Sequence, residues 1–162
     1  LHTLFPYTTL FRSLSLIGCS KENLCRNENF CAEVNGKKWF PSHNGDFKAS
    51  PLTARLLYSD SVLAVRASNG SERIYLSIRD WQGISAKSYF LTDTLSRGYF
   101  DNTIDSDEFE TDASHTGMVS ITAIDKSKKT VSGTFYFKAY NPVTGKVIDV
   151  SNGAFNTTYV DY

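Results

Sequence analysis

From Phe30 onward, apolar and polar residues alternate with a period of two, broken at short intervals by turn dipeptides. That pattern predicts an antiparallel β architecture. Residues 30–34 and 37–41 flank Asn35-Gly36, the pair that most readily supplies the positive φ angles of a tight hairpin. Strands are expected at 52–58 and 62–67, joined by Ser59-Asp60-Ser61, and Asn69-Gly70 leads into another over 73–78. There Ile74, Leu76 and Ile78 alternate with Tyr75, Ser77 and Arg79, so one face is expected to be buried and the other wet. Short strands are expected at 88–91 and 99–102. A long hairpin over 118–125 and 130–140 turns through the Lys126–Lys129 stretch, with Val119, Ile121 and Ala123 on one face and Phe135, Phe137 and Ala139 on one face. The segment Asn141-Pro142-Val143-Thr144-Gly145 precedes a strand over 146–150, and Asn152-Gly153 reads as a further turn before 154–159.

About ten strands between residues 30 and 162 suffice for one all-β domain, an antiparallel β-sandwich or a flattened barrel around a single core. The sandwich is preferred, because closing a barrel demands a matched strand number and shear. A short helix has room only within 42–50 or 92–98, and parallel βαβ folds are excluded by the missing helices. Trp39, in the same hairpin as Val34, is expected in the core.

The residues before Phe30 read differently. Residues 1–13, which include Thr3-Leu-Phe-Pro-Tyr-Thr-Thr-Leu-Phe-Arg-Ser13, resemble the in-frame translation of a DNA-sequencing adapter oligonucleotide, and the chain does not begin with Met. Such a segment is set aside from fold reasoning. Residues 14–18 then read as the remnant of a signal peptide, and Leu16-Ile17-Gly18-Cys19 has the form of a bacterial lipobox. A signal peptidase needs a small residue at the cleavage position, and the next residue must carry a thiol that can be acylated. Lipidation at Cys19 would anchor the chain durably, since several acyl chains hold where one is marginal. Ser20, where Asp would favour retention at the inner membrane, points to the outer membrane, on its periplasmic face or at the cell surface. Residues 19–29 are then the lipidated Cys and a polar tether, and residues 30–162 the β domain.

Composition narrows the function classes. Lys+Arg 17 balances Asp+Glu 17 with no basic block, which removes the electrostatic basis for nucleic-acid binding. No apolar run approaches the roughly 20 residues of a membrane-spanning helix. With Cys19 acylated, Cys25 and Cys31 either form a disulfide in an oxidising compartment or leave Cys31 as a buried strand thiol. Zinc is disfavoured by the isolated His43 and His115 and the lack of Cys-x-x-Cys, and no cofactor motif occurs.

Two blocks carry a family likeness. Phe30-Cys-Ala-Glu-Val34-Asn35-Gly36-Lys37-Lys-Trp39 opens the domain. Val131-Ser132-Gly133-Thr134-Phe135-Tyr-Phe137-Lys-Ala139-Tyr-Asn141, with Thr144-Gly145-Lys146 and Gly153-Ala-Phe155, closes it. Together they resemble an uncharacterised family of Bacteroidetes lipoproteins, domain-of-unknown-function family 6252. The resemblance implies a lipoprotein signal, a tether and a β domain, and it implies no known activity. It departs at Lys87-Ser88-Tyr89-Phe90-Leu91, where the family often has Gly-x-Tyr-x-Leu.

Candidate chemistry is sparse. Asp101, Asp105, Asp107, Glu108, Glu110 and Asp112 could offer oxygens to Ca²⁺, but without EF-hand spacing they read as a solvated loop that discourages edge pairing. Ser114 and His115 are sequence neighbours, which does not make a catalytic triad, and no Gly-x-Ser-x-Gly elbow occurs. No catalytic residue is assigned. Tyr75, Trp81, Tyr136, Tyr140 and Tyr159 fall on the polar phase of strands or in loops, where ring faces could stack on sugars or fill an interface. The expected function is therefore a non-catalytic outer-membrane lipoprotein that binds a glycan, peptide or protein. The alternative is a hydrolase or hydrolase inhibitor in the same compartment.

Overall fold

A computed structural model of the chain describes residues 25, 28–43, 50–92 and 95–162. Residues 1–24, with the adapter-like segment, the lipobox and Cys19, lie outside the described residues, as do 44–49 and 93–94 of the two segments offered for a helix.

The described residues form strands and no helix. In chain order the first six are β1 Phe30–Val34, β2 Lys37–Trp39, β3 Leu52–Leu57, β4 Val62–Ser68, β5 Glu72–Arg79 and β6 Ser88–Leu91. They are followed by β7 Arg97–Asn102, β8 Asp107–Glu110, β9 Gly117–Asp125, β10 Thr130–Tyr140, β11 Val147–Thr158 and β12 Val160–Asp161. All twelve belong to one sheet, ordered β12-β3-β4-β5-β7-β8-β10-β11-β1-β2, with β9 on β10 and β6 on β9.

The all-β expectation stands, and two of its details are corrected. The sheet is mixed, because β12 runs parallel to β3 through Val160↔Arg55 and Asp161↔Leu56. It is a single curled sheet, a half-barrel, where the two stacked antiparallel sheets of a sandwich were preferred over a flattened barrel. The reason lies in β10, which pairs β9 along Thr130–Phe137 and β8 at Tyr140, so one long strand belongs to both halves.

Two local readings also change. Asn152-Gly153 lies inside β11 at a bulge, where a turn between two strands was expected: Phe135 pairs with Gly153 and Phe137 with Val150, so Ser151 and Asn152 of β11 face Tyr136 of β10. Asn152 takes the left-handed φ of 50°, and a Cβ on Gly153 would lie 2.5 Å from the Phe135 ring. Residues 107–110, expected in a solvated loop, form β8, because pairing with β7 outweighs the poor strand propensity of three acidic residues in four.

The inner face carries the core. Ile74, Leu76 and Ile78 of β5 are fully buried, as their alternation predicted, and meet Val65, Phe100 and Phe137 in one cluster. Each such side chain contributes about 1.5–3 kcal/mol through burial. Phe137 lies so near β7 and β9 that a Cβ on Gly98 or Gly117 would fall inside its contact distance. Trp39 is buried as expected, edge-on to Phe30 at 5.8 Å, and its Nε1 donates to Glu72 at 2.8 Å. Cys25 and Cys31 are disulfide-bonded across a Cα separation of 5.5 Å, and Cys31 is fully buried as well. The bond ties the segment before β1 to the sheet.

Candidate functional site

The pleat that sends Ile74, Leu76 and Phe100 inward turns Arg73, Tyr75 and Tyr99 outward. Register then aligns residues far apart in sequence. Arg66 of β4 pairs with Tyr75 of β5, Tyr75 with Tyr99 of β7, Tyr99 with Glu110 of β8, and Glu110 with Tyr140 of β10. With strands about 4.8 Å apart, this belt runs about 19 Å across the outer face. A parallel row joins Arg73, Asp101 and Glu108. Across the Tyr75–Tyr99 part of the belt lies an open cleft of about 420 Å³, lined by Arg66, Arg73, Tyr75, Arg97, Tyr99, Asp101 and Glu110. That volume is within the range of small-ligand sites.

The charges of the cleft are mostly committed. Arg73 grips Asp101 with two nitrogens, Nε to Oδ1 at 2.8 Å and Nη2 to Oδ2 at 2.6 Å. This fork geometry is the strong form of the Arg–carboxylate contact. Asp101 is almost fully buried, and its hydrogen bond raises the pKa of Arg73 above the usual guanidinium range. Arg97 bonds Glu110 at 2.6 Å, with both partners half exposed, so that pair contributes at most about 1 kcal/mol. Burial, then the negative charges of Asp101 and Glu108, push the Tyr99 hydroxyl up to about 12. Tyr99 therefore stays a neutral phenol. Arg66 is exposed, and among the described residues its guanidinium has no ion-pair partner.

The aromatic residues singled out in the sequence separate into distinct environments. Tyr75 lines the cleft and Tyr140 ends its belt, stacked on His115 with ring centroids 5.0 Å apart and planes at 8°. Tyr136 lies on the outer face of β10 in a row with Met118 and Phe90, an exposed apolar ridge remote in register from the cleft. Trp81 follows β5 in an exposed turn, and the Arg79 guanidinium lies 5.1 Å from its ring centre. Tyr159 is buried in the core and offers no ring face to a ligand.

The acidic stretch is dispersed into separate contacts. Asp101 and Glu110 serve the cleft; Asp107 takes Lys146 at 2.8 Å and Asn141 at 3.2 Å; Asp105 accepts from Asn102 at 3.0 Å. No group of three or more His, Cys, Asp or Glu able to hold a metal occurs among the described residues. Asp112 accepts from the backbone N–H of Ser114 and His115 and lies 3.0 Å from His115 Nδ1. The imidazole contact is the largest cause lowering the Asp112 pKa. Among the described residues no hydroxyl or thiol bonds the imidazole, so this Asp–His pair has no nucleophile attached.

Sequence reasoning missed Tyr99, Arg66, Arg73 and Arg97. One signal was available for Arg66, the only charged residue in Val62–Ser68. The others required knowing that β7 lies beside β5 with β6 elsewhere.

Residues 42–158 match the family model described as Domain of unknown function (DUF6252), and the chain belongs to that family. The match takes in every cleft residue and leaves out the opening hairpin around Asn35-Gly36. No curated protein and no solved structure matches the chain.

Proposed function

We propose that this protein is a non-catalytic ligand-binding lipoprotein, held at the outer membrane by lipid on Cys19 and binding through the outer-face cleft. The observation that carries the binding half is the adjacency of Tyr75 and Tyr99 on neighbouring strands, between Arg66 on one side and Glu110 on the other. Two rings side by side form a platform for a flat partner, and the flanking ions supply both donors and acceptors. Groups gripped by neighbours, such as the Arg73–Asp101 fork, are already oriented before a ligand arrives, which lowers the entropic cost of binding. The anchoring half rests on Leu16-Ile17-Gly18-Cys19, and the Cys25–Cys31 disulfide suits the oxidising compartment such a lipoprotein would enter.

Two measurements test this reading. Cells expressing the chain or its Cys19→Ala form are fed a radiolabelled fatty acid; label on the parent alone supports anchoring, and equal labelling overturns it. The purified full chain, as Cys19→Ser, is applied to an array of glycans and peptides beside the same chain carrying Tyr75→Ala and Tyr99→Ala. Binding that the double substitution abolishes supports the cleft. Array binding indifferent to it, or none at all, overturns the binding half.

A further inference from the structure

We infer that the cleft recognises an acidic saccharide, one whose sugar ring stacks on Tyr75 and Tyr99 while its carboxylate is taken by Arg66. This deepens the binding reading above and rests on it.

The argument begins with the three arginines, which are not equivalent. Arg73 is committed to Asp101 by two short contacts, and Arg97 to Glu110 by one. Their charges are largely cancelled where they stand. Arg66 alone among the three has no ion-pair partner within the described residues, and it stands directly opposite Tyr75 in the register. An exposed, uncommitted guanidinium at the end of an aromatic platform is suited to a planar anion, since its fork matches a carboxylate through two parallel hydrogen bonds. A neutral ligand would leave that capacity unused.

The rest of the cleft selects a sugar over a peptide. Its only extended apolar surfaces are two tyrosine rings and the stems of the arginines; no Leu, Ile, Val or Phe lines it. A peptide side chain would find no hydrocarbon pocket there. The cleft also lies over β4, β5, β7 and β8, strands already paired on both sides, so no open edge invites an added strand. A sugar ring has what the site can use: an apolar C–H face for the tyrosines and a rim of hydroxyls. Each hydroxyl both donates and accepts, and the Arg97–Glu110 pair presents a donor and an acceptor together. Tyr99, held as a phenol, adds a hydroxyl that does not turn into a repelling anion beside the carboxylate.

The belt is longer than one ring. From Arg66 to Tyr140 it crosses five strands, ending beyond Glu110 at Tyr140, one face of whose ring is covered by His115. An oligosaccharide laid across the strands would meet Arg66 first, then Tyr75 and Tyr99, then Glu110, with Tyr140 at the far end.

The test uses matched pairs of probes that differ only in charge. Tetragalacturonate, a mannuronate tetramer and a glucuronate-containing tetrasaccharide are each titrated by calorimetry against the full chain as Cys19→Ser, beside their methyl esters. The acid form of at least one pair should bind about tenfold more tightly than its ester. Arg66→Gln should remove that preference by bringing the acid form down to the level of its own ester, and Arg66→Lys should restore part of it. Tyr75→Ala should weaken acid and ester alike. Equal binding of acid and ester, or a preference that survives Arg66→Gln, overturns the acidic assignment and leaves the cleft a binding site. If no pair binds, the saccharide assignment falls, and the array with the double tyrosine variant separately decides whether the cleft binds anything.

Discussion

Two regions of the same outer face expose aromatic residues, and they differ in how charge is arranged around the rings. In the cleft, Tyr75 and Tyr99 are bracketed by Arg66, the Arg73–Asp101 fork and the Arg97–Glu110 pair. On the ridge, Phe90, Met118 and Tyr136 follow one another across β6, β9 and β10 with serines as the next row, Ser88 against Ser120. Phe90 and Tyr136 are more exposed than the cleft tyrosines, 72% and 53%, but the charge next to Tyr136 on its own strand, Lys138, stands opposite Asp149 and does not bracket the rings as the cleft ions do. Exposure alone is thus a poor guide to a site. What distinguishes the cleft is that each ring has committed polar neighbours set by register, so both geometry and chemistry are in place before a ligand arrives.

The largest effect should come from below both regions. Phe137 is fully buried and fills the space left by Gly98 under the cleft and Gly117 under the ridge. Phe137→Ala is expected to cost about 3–5 kcal/mol in urea unfolding, enough to disturb both regions together. A loss under 1 kcal/mol would mean the two regions do not share this support. Next, Asp101→Ala should separate them. Removing the nearly buried carboxylate strips Arg73 of its partner and is expected to cost about 1–3 kcal/mol. Probe binding in the cleft should fall, while the exchange of the β6, β9 and β10 amides with deuterium stays as before.

The ridge offers the converse test. Replacing Phe90 and Tyr136 together with Ser should change stability by no more than about 0.5 kcal/mol for each site and leave cleft binding intact. Lost binding in that variant would show that the ridge belongs to the site.

Two titrations give the smallest effects. Tyr99 ionises near 12 in the folded chain against an ordinary value of 10.0. Its raised pKa means the folded state holds its proton longer than the unfolded one, so stability is complete below the ordinary value and declines as pH rises towards 12. Tyr99→Phe should flatten that alkaline decline, and absorbance of tyrosinate should show one late step missing. Asp112 has a lowered pKa, so its contribution is present above the ordinary carboxylate value and fades as pH falls through the lowered one. Asp112→Asn should soften the acid limb of the melting curve and leave the cleft unaffected.

The legible part of the fold was the part that depends on neighbours in sequence. Alternation located β6 and β10 to the residue, the Asn35-Gly36 turn did so for β1, and most other strands fell within two, because burial of one face imposes a period of two along many of the strands that cover the core. Where that signal is overridden, the reading failed. β8 carries three acidic residues and one inward Phe109, so its sequence looks like a loop and only its partner β7 makes it a strand. Asn152-Gly153 has the chemistry of a turn, yet β10 continues alongside and draws the pair into a bulge.

The candidate site divides along the same line. Tyr75 was marked from its polar phase on β5, and Tyr140 from its phase on β10. That they end up in one belt, with Tyr99 and Glu110 between them, follows from the order β5-β7-β8-β10, which no local pattern encodes. By itself the sequence determined an all-β domain, the inward identity of Trp39 and the buried face of β5, because each depends on side-chain chemistry and a two-residue repeat. Only the tertiary structure decided that Arg66, Tyr75, Tyr99 and Glu110 are neighbours, because register between strands is set by loop paths and core packing over the whole sheet.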